Sequence, residues 1–213
     1  GLDVSTATFV FSLNGGEIPF IPGDFHYQNV YFVPGTGSSH SNMFINASDL
    51  NIDGNLYHYT IGYSHLYGLS GTSTNINLLG DLYIDGGFDH DYLSRATTVN
   101  MIGSNSSNIW GSATSISQAN IVVNKSSGAT VTIKGGFGTS RDLTSLTPLI
   151  IDSGIDVRVP AHGLNGQLSI FNTPNVQFHN MYIDHGFRAN SAINLDGNLN
   201  IATRNGGNYS VSL

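Results

Sequence analysis

The sequence predicts an all-β chain, a right-handed parallel β-helix wound in coils of roughly 16 to 18 residues with a few longer loops. Three observations predict it. An apolar pair two residues apart, followed by a polar residue and then glycine, returns at Leu50-Asn51-Ile52-Asp53-Gly54, Leu82-Tyr83-Ile84-Asp85-Gly86, Val131-Thr132-Ile133-Lys134-Gly135 and Met181-Tyr182-Ile183-Asp184-His185-Gly186, and its apolar half again at Leu199-Asn200-Ile201. Strong helix formers are scarce, Lys and Glu together numbering three, while β-branched and aromatic residues hold the apolar positions. Short alternating runs stop at Gly, Asn, Asp and Ser, which favour tight corners. A recurring phrase marks a structural unit before it marks an active site.

The first four of those phrases and the last begin at Leu50, Leu82, Val131, Met181 and Leu199, so successive starts differ by 32, 49, 50 and 18. These are close to two, three, three and one copies of the unit. Stacked at the usual strand spacing, twelve or thirteen such coils make a rod of roughly 60 Å. Strands follow in order. Thr8 to Leu13 alternates and stops at Asn14-Gly15-Gly16. Further short strands are expected at Val30 to Val33, Met43 to Ile45, Leu56 to Ile61, Ile76 to Leu79, Leu82 to Ile84, Thr98 to Ile102, Ile121 to Val123 and Thr130 to Ile133. Leu149 to Ile151, Ile155 to Val159, Gln167 to Phe171, Val176 to Phe178, Met181 to Ile183, Ala192 to Leu195 and Leu199 to Ile201 complete the set. Leu50, Leu82, Val131, Met181 and Leu199 are expected on inward rows, with Asn at the turns hydrogen-bonding along the stack. The stretches 57–73 and 103–117 fit the unit poorly and are expected to bulge out as loops.

Composition narrows the partners. The 213 residues suffice for one continuous core, and the whole of 1–213 is read as a single domain. Only 10% of residues are charged, and fourteen acids against seven bases give a formal charge of -7. Nucleic acid and anionic membranes are disfavoured, because binding phosphates takes clustered Lys and Arg. No apolar run approaches the roughly 20 residues that span a bilayer. There is no cysteine, hence no disulfide framework and no thiolate metal site. A chain that starts at Gly1 without Met and ends on a strand-like run reads as a processed product or a segment of a longer protein.

The run Gly16-Glu17-Ile18-Pro19-Phe20-Ile21-Pro22-Gly23-Asp24-Phe25-His26-Tyr27-Gln28-Asn29-Val30, followed by repeated Asp/Asn-Leu-x-Ile-Asp-Gly-Asn-Leu wording, resembles the large secreted surface β-solenoids of bacteria that use type IX secretion. The resemblance covers most of the chain and departs from the pattern between 103 and 120. It implies export to the cell surface and a non-enzymatic role in adhesion or as a stalk. Implied partners are a surface glycan or another cell-surface component, adjacent domains of the same protein, or another copy through the solenoid ends.

Candidate sites are few. Asp81, Asp85, Asp89, His90 and Asp91 form the densest acidic cluster, and Asp85, Asp89 and Asp91 are candidate ligands for calcium, which takes six to eight oxygens. No other cofactor is expected. Parallel β-helices also carry polysaccharide lyases and hydrolases, so carbohydrate binding or degradation is the rival function. Asp152, Asp156 and Arg158 are the candidate catalytic residues, expected to share one strand face by period two. A plain solvated strand face is the stronger reading of the same residues. Tyr57, Tyr59, Tyr63 and Tyr67 form one aromatic-rich stretch whose rings are candidates to stack on sugars or else to cover one side of the core. The eight histidines contain no pair three or four residues apart, which argues against zinc.

Overall fold

A computed structural model describes residues 6–13, 16–34, 40–59, 63–68, 73–85, 97–111, 116–117, 119–139, 142–159, 168–184, 186–202 and 211–212. Every described element is a strand, and every strand pairing is parallel, as the period-two alternation and the poverty of helix formers require. The described strands form five parallel sheets, and neighbouring strands within a sheet belong to successive windings. The first sheet contains Thr8–Leu13, Asn29–Pro34, Leu56–Tyr59, Leu82–Asp85, Ser107–Gly111, Val131–Ile133 and Leu149–Ile151. The longest holds nine strands, from His26–Tyr27 to Val211–Ser212. The chain is therefore a β-solenoid. Among the described residues the longest stack holds nine strands against the twelve or thirteen coils expected, and the reason is coil length. Register partners one winding apart are closest in sequence at Gln177 and Asn194 and farthest at Leu143 and Phe171, and most windings are longer than the expected unit.

The recurring phrase does not mark one place in the coil. Leu50 lies on the nine-stranded sheet in register with Ile76, Leu82 on the first sheet in register with Ile109, and Met181 on another sheet in register with Leu199. Leu50, Leu82, Val131 and Met181 are fully buried, and Leu199 packs partly buried against the core. All five point inward as expected, on three sheets rather than one row. Any strand whose inner side faces the same aliphatic core needs the same wording.

Both stretches expected to bulge as loops contain strands among their described residues. Within 57–73, Leu56–Tyr59 and Tyr63–Gly68 pair with strands of neighbouring windings, and within 103–117 so do Ser107–Gly111 and Ile116–Ser117. Burial alternates cleanly in Thr74–Leu78 and Thr97–Met101. Each fully buried Leu or Ile of the interior contributes about 1.5–3 kcal/mol of transfer free energy.

Glycine at the corners has a steric cause. At Gly54, Gly80, Gly135 and Gly197 an added Cβ would collide with a backbone carbonyl of the preceding winding, and the Gly80 N–H donates to the Gly54 carbonyl at 2.9 Å. The windings approach too closely at these corners for any side chain.

Stacked amides then bind winding to winding, in this ladder on strands rather than at the turns expected. Asn77 Nδ2 donates to Asn51 Oδ1 at 2.9 Å, and Asn100 Nδ2 donates to Asn77 Oδ1 at 3.1 Å. That ladder ends where Val122 takes the register position after Asn100. Lys125 makes a second kind of tie. Its buried ammonium donates to the Leu79 and Ile102 carbonyls, both at 2.7 Å, joining three successive windings. Burial pushes the Lys125 amine below its ordinary value, and the Asp81 carboxylate opposes that shift. Among the described residues no helix is long and apolar enough to cross a membrane.

Candidate functional site

The most organised surface of the solenoid is the outer side of the first sheet. Inward Val30, Leu56, Leu82 and Ile109 are each followed by an outward aromatic residue, and the register places Tyr31, Tyr57, Tyr83 and Trp110 in one row across four windings. Ring centroids lie 4.0 Å apart for Tyr31 and Tyr57, 4.3 Å for Tyr57 and Tyr83, and 6.1 Å for Tyr83 and Trp110, with planes within 16° of parallel throughout. Lys134 of the next winding sets its ammonium 5.3 Å from the Trp110 ring centre, a cation–π contact at the end of the row.

Beside the rings runs a polar row, two residues before each ring in the sequence. The Asn55 N–H donates to Asn29 Oδ1 at 2.9 Å, the Asp81 N–H to Asn55 Oδ1 at 2.7 Å, and the Asn108 N–H to Asp81 Oδ1 at 2.8 Å. The two rows are tied together. Asn55 Nδ2 donates to the Tyr57 hydroxyl at 3.3 Å, and the Tyr83 hydroxyl donates to Asp81 Oδ2 at 3.3 Å. Asp81 serves where Asn stands in the neighbouring windings because its side-chain partners here, the Asn108 N–H and amide and the Tyr83 hydroxyl, all donate.

This environment acts on the Tyr83 phenol. Burial first, then the Asp81 carboxylate and the neighbouring Tyr57, push it from 10.0 up to about 12. In the unfolded chain the phenol ionises near its ordinary value, so from pH 10.0 to about 12 the folded state holds more protons than the unfolded one. Stability must therefore fall as pH rises through that window. Urea unfolding midpoints taken on both sides of it are expected to drop for the native chain and to drop less for Tyr83→Phe. A residual slope is expected from Tyr27, whose phenol burial also raises.

The residues singled out in the sequence fare differently. Tyr57 is in the aromatic row. Tyr59 ends the same strand in register with Asp85, while Tyr63 and Tyr67 belong to another sheet opposite His40 and Phe44, so the four tyrosines are not one loop. The side chains of Tyr59, Tyr63, Tyr67 and Asp85 lie outside the described residues, as do Asp89, His90 and Asp91 altogether. Among the described residues no group of three His, Asp or Glu is placed to hold a metal.

Asp152 is not on a strand with its expected partners; it sits exposed in the turn after Leu149–Ile151, and Asp156–Val159 begins beyond that turn. Ser153 and Gly154, a tight turn with Gly154 at φ 80°, separate the two strands. Asp156 Oδ1 accepts from Asn180 Nδ2 at 2.8 Å, and the Arg158 guanidinium lies 5.0 Å from the Tyr182 ring centre. Both side chains are thus engaged with the following winding.

Sequence reading missed Tyr31, Tyr83 and Trp110. A signal existed: aromatic residues recur at 31, 57 and 83, at equal steps of 26, with Trp110 one residue further on. Compared with protein-family models, with curated proteins and with solved structures, the chain finds no match in any of the three.

Proposed function

We propose that this chain is a non-enzymatic structural segment of an extracellular cell-surface protein, a stiff stalk that carries or spaces adhesive parts. The observation that supports the reading is the way outward side chains of the first sheet are used. Tyr57 and Tyr83 turn their ring faces toward neighbouring rings at 4.0 to 4.3 Å, and Asn55, Asp81 and Asn108 direct their hydrogen bonds along the stack. A sugar stacks on an aromatic ring through the ring's flat face. Tyr57 has no such face left, so its row strengthens the rod instead of presenting a platform. Asp156 and Arg158, the candidates for chemistry, are likewise engaged by Asn180 and Tyr182. Low charge, abundant Asn, Ser and Thr, and the resemblance to type IX surface solenoids support an extracellular setting.

The reading is tested on the full chain with a panel of acidic and neutral polysaccharides, scored for new reducing ends and unsaturated products and, on an array with and without chelator, for retention. No product and no Tyr57-dependent retention are expected. Turnover abolished by joint Asp152→Asn and Asp156→Asn replacement would transfer the chain to the carbohydrate-active class, and retention lost on Tyr57→Ala would make the aromatic row a glycan site.

A further inference from the structure

The Tyr31, Tyr57 and Tyr83 phenols stand in an arrangement suited to oxidative coupling. Neighbouring centroids are 4.0 and 4.3 Å apart with planes 8° and 16° from parallel, so each ring meets the next face to face at contact distance. All three side chains are half-buried on the outer side of the sheet, within reach of an oxidant in solvent. Trp110, exposed at the end of the row, is the main competing sink among the described residues. The chain has no cysteine, and Met101 and Met181 are fully buried. Oxidation of a phenol by one electron also requires a place for its proton, and the Tyr83 hydroxyl already donates to Asp81 Oδ2.

We propose that this stack is a site of oxidative cross-linking, where a one-electron oxidant of the peroxidase or photo-oxidant class joins Tyr57 to Tyr31 or Tyr83 through a carbon–carbon bond. Each of the two phenols gives one electron to the oxidant and one proton to a base, Asp81 being the base for Tyr83. The two phenoxyl radicals pair their electrons as a bond between ortho carbons. The hydrogens on those carbons then move to the oxygens as both rings regain aromaticity, leaving a product two hydrogen atoms lighter. The bond ties the winding of Tyr57 to one neighbouring winding through tyrosines that stand in register, a covalent staple in a protein without disulfides.

The test uses the full chain, dilute enough to remain monomeric, irradiated with tris(bipyridyl)ruthenium and persulfate. The expected result is dityrosine fluorescence, a monomer lighter by two hydrogens, and proteolytic peptides that join Tyr57 to Tyr31 or Tyr83. Tyr57→Phe keeps a ring in the stack, checked by an unchanged circular dichroism spectrum, and is expected to lose nearly all of the intramolecular product. Tyr31→Phe is expected to leave the Tyr57–Tyr83 link in place, and Asp81→Asn to shift the product toward Tyr31–Tyr57. Coupling at native yield in Tyr57→Phe, or coupling mainly between chains or at tyrosines outside the row, would overturn the proposal.

Discussion

Phe171→Ala is expected to destabilise the chain by about 3–5 kcal/mol, measured as a lowered urea midpoint at unchanged slope. Phe171 is fully buried, edge-on to Phe187 at 5.0 Å and 6.3 Å from Phe178, and these rings come from three different strands. Truncation leaves a cavity that the flanking strands cannot close, since the ladder fixes Leu143 opposite Phe171 and Phe171 opposite Ala189. The same truncation at Ile150, which is 47% exposed on the outer side of the first sheet, is expected to change stability by no more than about 0.5 kcal/mol. Equal losses at the two sites would mean that the inward and outward rows have been assigned wrongly.

Gly80→Ala carries the second large effect, a loss of about 1–3 kcal/mol from overpacking. Its cause differs from that of a core cavity. The new methyl group meets the Gly54 carbonyl oxygen, and that same oxygen accepts the Gly80 N–H at 2.9 Å, so the windings must part and weaken a backbone hydrogen bond between them. A flexible side chain could yield to a methyl group; a carbonyl inside a ladder cannot. Hydrogen exchange is expected to quicken in Gly80→Ala at the amides that bridge this corner, Leu79 and Gly80, before it quickens in the distant strand Asn180–Ile183. Uniform quickening along the whole chain, or none at all, would contradict the local cause.

How far the sequence foretells this fold depends on which row is asked about. Apolar runs followed by residue types that favour turns place the strands Thr8–Leu13 and Leu149–Ile151 with their observed ends. Alternation does not say which sheet a strand joins. Leu50, Leu82 and Met181 share one wording on three sheets, since all three interiors ask for the same aliphatic pair. Corners of unequal length then hide the true coil, which is why the short unit read from the recurring phrase fits only the shortest windings, such as those from Val131 to Leu149 and from Met181 to Leu199. Phe137–Thr139 and Leu143–Ser145 escape because Gly138, Thr139 and Ser145 are buried without being apolar. The aromatic row escapes for another reason: tyrosines close in sequence draw attention together, while Tyr57 in fact meets Tyr31 and Tyr83, each one winding away.

The central claim is that neighbouring windings stack in parallel and in register, and a single long distance tests it. Thr8 and Ile150 occupy the same outward row on the first and last strands of the seven-stranded sheet, and the chain has no native cysteine to interfere with labelling. Nitroxides attached at Thr8→Cys and Ile150→Cys should give a narrow distance distribution by pulsed electron paramagnetic resonance. Six strand spacings predict a centre at about 29 Å, broadened only by the label arms. A distribution centred well away from that value, or one with no defined centre, would contradict the parallel stack and with it the stalk proposed from it.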